Sequence, residues 1–196
     1  MVKNVLNLRP TQFALGLREV EARVKKFKKM TSKQRKRYLA DRPVQVVVGP
    51  RKIHYIIDRH HLVRACWEAN IKKVPVEIRS NLSDLDPKNF WKIMNISRWM
   101  HLCDQFGCNG YKPHQLPLDV RGLADDPYRS LAWAVREIGG YDKVFIPFAE
   151  FKWANYFRKK IDIETIRYDF EGAVKQALKA CKNKAASTLP GYKINS

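Results

Sequence analysis

Hydrophobic positions recur along this chain in two rhythms. Over residues 12–30, "QFALGLREVEARVKKFKKM", Phe13, Leu17, Val20, Val24 and Phe27 fall at steps of three and four, which predicts one apolar stripe on an amphipathic helix. Thr31 or Ser32 can cap a second, short helix, "SKQRKRYLA". The rhythm then changes. "VQVVV" at 44–48 and "IHYII" at 53–57 read as strands, and Gly49-Pro50-Arg51-Lys52 between them carries turn chemistry, so the pair predicts a β-hairpin. A helix from about His60 to Asn70 buries Leu62, Val63, Cys66 and Ala69, and "KVPVEI" at 73–78 is a third strand.

After residue 80 the helical rhythm takes over. Asp86-Pro87 and Asp126-Pro127 each place a capping side chain before a proline at the first helical position. The first pair opens a helix expected to run to about Asp104, and the second opens one ending at Gly139-Gly140. Residues 105–125 are loop-rich, two more helices are expected over 149–160 and 164–185, and the tail 187–196 is expected to be loosely held. The pattern therefore predicts an α+β fold: a small mixed-sheet domain over 1–80, with a helical region over 81–196 packed on it.

Composition adds one strong fact. Lys and Arg number 38 against 19 Asp and Glu, a formal charge of +19, in a chain whose 45% hydrophobic content supports a packed interior. Nine of the fifteen residues from Arg23 to Arg37 are Lys or Arg. Such a run is either a solvated helical face or a surface for a polyanion. No apolar stretch reaches the ~20 residues of a membrane span, and the N-terminus lacks the apolar core of a secretory signal. A cytoplasmic location is the expectation. Cys66, Cys103, Cys108 and Cys181 lie beside apolar residues, as free thiols in a reducing compartment would.

The candidate chemistry lies in "YIIDRHHLVRACW" at 55–67, where a strand becomes a helix. A helix N-terminus offers backbone N–H groups and partial positive charge to an anion. His60 and His61 stand in its first turn, and Arg64 follows at the spacing that shares their face. Imidazoles can contact phosphate oxygens or take a proton, and an arginine fork suits phosphate. Asp58 can cap the helix, orient a histidine, hold a divalent cation such as Mg²⁺ or act as a base. The plainer alternative is that Asp58 is a cap and the histidines are ordinary residues.

"PVQVVVGPRKIHYIIDRHHLVRACWEANIKKVPVEI" resembles the ParB/sulfiredoxin fold, and is most similar to the ParB-like nuclease group. "LRPTQFALGLREVEARV" and "DDPYRSLAWAVREIGGYDKVFIPFAEFKWANYFR" share that likeness. Sulfiredoxins carry a cysteine where this chain has His60, so the resemblance argues against their reaction. Partition proteins of the fold bind and hydrolyse CTP at this corner. Free serine kinases carry Asp-Gly-His-His-Arg there, where this chain has Arg59 for the glycine and its next arginine at 64. They also use a glutamate of the N-terminal helix as base. By resemblance, then, Glu19, Asp58, His60 and His61 are the catalytic candidates, and Arg9, Thr11, Arg59, His60, His61 and Arg64 the phosphate or nucleotide contacts. ATP, ADP or CTP with Mg²⁺ is the implied cofactor.

A second constellation comprises Asp126, Arg129, Glu150 and Lys152, with aromatics interleaved at 145, 148, 151, 153, 156 and 157. It reads as a base-stacking surface or, more simply, as the packing of a helix rich in large residues. Two functions compete: phosphoryl chemistry on a nucleotide or phosphorylated small molecule at the corner, or DNA or RNA binding through residues 23–37 without catalysis.

Overall fold

A computed structural model describes residues 1–193, so the last three residues of the expected loose tail lie outside the described residues. The chain forms two compact units, Met1–Ala124 and Asp125–Ser196. The division falls well after residue 80, where the hydrophobic rhythm changes.

The first unit is built on a mixed sheet. Its strands are β1 (Val2–Asn4), β2 (Leu8–Arg9), β4 (Val44–Val48), β5 (His54–Ile56) and β6 (Lys73–Asn81), in the order β1-β6-β4-β5-β2; a two-residue strand β3 (Ala14–Leu15) lies outside it. β4 and β5 form the expected antiparallel hairpin, with Val47 opposite Tyr55. β6 runs parallel to β4 with a register shift after Val46, and β2 runs parallel to β5. The strands β1 and β2 are too short to show a period, which is why the hydrophobic pattern did not reveal them.

Both faces of this sheet are covered, so the strand pattern at 44–48 is continuously apolar instead of alternating. Val44, Val46 and Ile56 point to the side of helices α1 (Leu17–Lys28) and α3 (His60–Glu68), where Val20, Phe27, Leu62 and Val63 complete the core. Val47 and Tyr55 point the other way, onto Phe90 and Met94 of helix α4 (Pro87–Ile96). This packing is what draws residues 81–124 into the first unit. Gly49 is required there, because a Cβ would stand 2.7 Å from the Phe90 ring and 2.8 Å from that of Tyr55. A short helix α2 (Ser32–Ala40) follows α1, with the Thr31 hydroxyl accepting from the Gln34 N–H and the Gln34 side chain from the Thr31 N–H.

Two helix boundaries differ from expectation here. The first helix starts at Leu17, not Gln12: Phe13 lies outside it, and its carbonyl accepts the N–H of Ala124 at 2.9 Å. The helix opened by Asp86-Pro87 stops at Ile96, where Arg98 turns into the left-handed region (φ 55°), well short of Asp104.

The second unit is helical: α5 (Pro127–Glu137), α6 (Ala149–Arg158), α7 (Ile163–Tyr168) and α8 (Phe170–Cys181). Leu131, Val135, Trp153, Phe157 and Ala177 fill its core. The single helix expected over 164–185 is two, because Asp169 leaves helical geometry (φ −135°, ψ 69°) and accepts the Gly172 N–H to cap α8.

Cys66 and Cys181 are buried, and burial pushes both thiols up to about 12; Cys103 is half-buried and Cys108 exposed. All four are free thiols.

Candidate functional site

The corner forms because β5 ends and the backbone reverses through one residue. Arg59 takes the left-handed conformation (φ 69°, ψ 30°) and is itself the N-cap of α3. Asp58 does not cap the helix. Its Oδ1 accepts the N–H of the adjacent Arg59 at 2.7 Å, closing the turn before the helix starts. A left-handed arginine costs about 1–2 kcal/mol relative to right-handed backbone, which explains why a glycine suits this position in the kinases the stretch resembles.

Past the turn, both imidazoles are engaged by the segment that precedes α1. The Nε2 of His60 accepts the backbone N–H of Thr11 at 3.1 Å, and the Nε2 of His61 accepts that of Gly16 at 3.1 Å. The Thr11 hydroxyl donates to the Ile56 carbonyl at 2.6 Å. In the form that accepts these bonds, each ring carries its proton on Nδ1. Glu19 is buried (4% exposed), with its Oε1 taking the Arg23 guanidinium at 2.6 and 3.1 Å and its Oε2 lying 3.5 Å from the His61 Nε2. The His61 Nε2 thus faces a donor and a carboxylate together. It can accept from Gly16, or carry a proton toward Glu19, but not both.

The structure therefore gathers Thr11, Glu19, His60 and His61 into one buried polar cluster, with Asp58 and Arg59 at its surface. Asp58 is 63% exposed and lies 4.0 Å from the Arg59 Nε. Arg64 and Arg9 are directed elsewhere. The Arg64 Nη1 donates to the carbonyls of Val120, Arg121 and Leu123 at 2.9, 3.3 and 3.2 Å, and its Nε bonds Glu68 at 2.9 Å. Arg9 lines a cleft at the start of β5, whereas His60 stands beyond its end. Among the described residues no group of three or more His, Cys, Asp or Glu side chains converges as metal ligands do. One exposed carboxylate falls short of the oxygen set by which a protein holds Mg²⁺ on its own.

In the second unit Asp126 caps α5 by accepting the Tyr128 N–H at 3.0 Å and pairs with Arg158 at 2.8 Å. Its buried carboxyl is pushed above the usual range, burial outweighing the pull of the Arg158 and Arg129 charges. Arg129 lies 3.6 Å from the Phe151 ring centroid and 3.5 Å from Glu150, which also pairs with Arg136. Lys152 is exposed on α6. Trp153, Tyr156 and Phe157 are core, and Trp153 stacks on Tyr141 at 4.3 Å. Phe148 and Phe151 are half-buried, and Phe145 is 97% exposed.

The basic run occupies α1, α2 and the turn between them. Lys25, Lys26, Lys28, Lys29, Lys33, Lys36 and Arg37 are exposed and Arg35 half-buried, while Arg23 turns inward to Glu19. No Asp or Glu lies between Ala22 and Ala40. Lys26 and Arg42 approach the Tyr38 ring at 4.7 and 4.2 Å.

Comparison with known proteins agrees with this architecture. The family described as "Putative ParB-like nuclease" matches residues 2–159, which takes in the sheet, the corner and the first two helices of the second unit. The chain belongs to this family. Among solved structures, this ParB-like chain is similar to protein Atu1540 from Agrobacterium tumefaciens, a crystal structure, with a TM-score of 0.91 and 35% identity over 100% of this chain and 98% of that one. No curated protein matches. Among the described residues no helix is long and apolar enough to cross a membrane.

Proposed function

We propose that this ParB-like protein binds nucleic acid, gripping the phosphate backbone with the cations of α1 and α2. The observation that supports this reading is the charge of that face. Eight Lys and Arg side chains from Lys25 to Arg37 have no carboxylate within the segment to neutralise them; of the two acids earlier on α1, Glu19 is taken by Arg23, which leaves Glu21 against eight cations. A face of this kind releases counterions from a polyanion, and its affinity falls steeply with salt. Fluorescence anisotropy with labelled duplex DNA and RNA over a salt series tests it. Replacing Lys25, Lys26, Lys28 and Lys29 with glutamine flattens the slope of log affinity against log salt by about 0.9 for each DNA phosphate no longer neutralised. Folded wild-type protein that binds neither duplex at low salt overturns the reading.

The corner supports a second reading: a nucleotide or phosphorylated small molecule bound beside Asp58 and Arg59, with phosphotransfer or hydrolysis following. It is favoured by where the first unit buries its polar side chains. Thr11, Glu19 and His60 are all buried around this one turn, and ionisable groups held out of water gather at functional sites. Here His61 and Glu19 would move a proton between them, and the exposed Asp58 and the half-buried Arg59 would meet the ligand. A thermal-shift panel of ATP, ADP and CTP, each with and without Mg²⁺, reads it out. A stabilisation that survives in His61→Gln at full size rules it out.

A further inference from the structure

The sheet carries a third cationic feature that neither reading uses. Where β5 begins, a cleft of about 420 Å³ opens between the 50–54 segment, the chain from Lys3 to Arg9, and Leu118. Lys3, Arg9 and Lys52 line it, together with Asn7 and His54, and among the described residues no carboxylate does. The nearest acid in sequence, Asp119, is held by Arg121 at 2.7 Å. Leu6, Ile53 and the 69% exposed Leu118 supply an apolar lining.

Two further observations mark the place as organised. Arg51 and Lys52, consecutive and neither of them glycine, both adopt the left-handed region (φ 58° and 57°). Left-handed backbone at two consecutive side-chain-bearing residues persists only where the surrounding structure over-determines it. The turn thus presents two cations in a strained backbone. In addition, Arg9 is half-buried, and its charge opposes the rise that burial imposes on the Tyr55 pKa. Arg51, next to Lys52 in the turn, is exposed. The field within the cleft is strong enough that the Lys3 charge adds to burial in holding His54 below its ordinary histidine range.

We infer that this cleft is an anion site separate from the Asp58–His61 corner, and that it takes a small ligand bearing a diphosphate group. Three full positive charges with an amide beside them match the charge and acceptor count of a diphosphate. The volume lies in the range of small-molecule sites, so it also has room for an attached organic group against Leu6, Ile53 and Leu118. The inference stands whether or not α1 and α2 bind nucleic acid.

Isothermal titration calorimetry with inorganic pyrophosphate and with ADP, both without metal, tests it on the full chain. Pyrophosphate binds wild-type protein, and the Lys3→Gln/Lys52→Gln double variant weakens it at least tenfold with an unchanged circular dichroism spectrum. Lys52→Glu alone, at an exposed position, does the same and guards against a folding defect at Lys3. His61→Gln and the four-lysine α1 variant leave the affinity unaltered, which separates this site from the other two. Tighter binding of ADP than of pyrophosphate marks a nucleotide as the source of the diphosphate, and equal binding marks the free anion. The inference is overturned if folded wild-type protein shows no pyrophosphate binding up to millimolar concentration, or if both cleft variants bind as the wild type does.

Discussion

The imidazole of His60 holds the backbone of Thr11: its Nε2 accepts the Thr11 N–H at 3.1 Å across 49 residues of chain. His61 holds Gly16 in the same way. The tandem histidines thus pin the segment leading into α1 against the start of α3. Replacing His60 with alanine strands a buried N–H and opens a small void, at a cost of about 2–4 kcal/mol. The urea midpoint falls accordingly in the absence of any ligand. An unchanged midpoint would mean that the ring has no structural role.

Arg64 makes a comparable claim from the middle of the same helix. Its guanidinium gathers three carbonyls of the 120–123 turn, so Arg64→Ala loses about 1–3 kcal/mol of stability. Arg64→Lys recovers little, since one ammonium on a flexible stem cannot reproduce the fork that also bonds Glu68. Thermal denaturation without ligand separates the three proteins, whereas a pure ligand contact leaves them alike.

Asp126 combines two duties, capping α5 and neutralising Arg158. Asp126→Ala removes both and costs about 2–4 kcal/mol. Asp126→Asn keeps the cap and recovers part of that. Equal stability of the two variants, measured by chemical denaturation, would show that the cap contributes nothing.

His54 links stability to pH. Burial first, and the Lys3 charge second, lower its folded-state pKa below the ordinary 6.5. A histidine lowered on folding binds fewer protons in the native state than in the unfolded one. Its contribution is therefore complete above 6.5 and is lost as pH falls through the lower folded value. Imidazole titration by NMR is expected to place His54 below 6.5, and a bound anion in the cleft moves it upward. A value above 6.5 in the unliganded protein contradicts the burial seen here.

Much of this molecule is legible in residue order, wherever the cause is local. Asp86-Pro87 and Asp126-Pro127 start helices because the cap and the proline act within one turn, and the hairpin at 44–56 follows from a β-branched run with turn residues between. Helix ends are less legible. The stop at Ile96 depends on Arg98 entering the left-handed region, and the break at Asp169 on a side chain choosing to cap α8. Neither leaves a mark in hydrophobic spacing. The cleft leaves none either, because Lys3 and Arg9 stand more than 40 residues before Lys52, and only the sheet brings them together.

Residue order alone determines which side chains stand at the corner, but not what they meet. That an aspartate, an arginine and two histidines fall on a strand-to-helix turn is a property of "DRHH". Which atoms those side chains touch was settled by folding, when Thr11 and Gly16 were carried to the far imidazoles and Val120 to Arg64. A backbone N–H shut away from water must find an acceptor. Here the acceptors lie 49 and 45 residues further along, at a distance only the completed sheet determines.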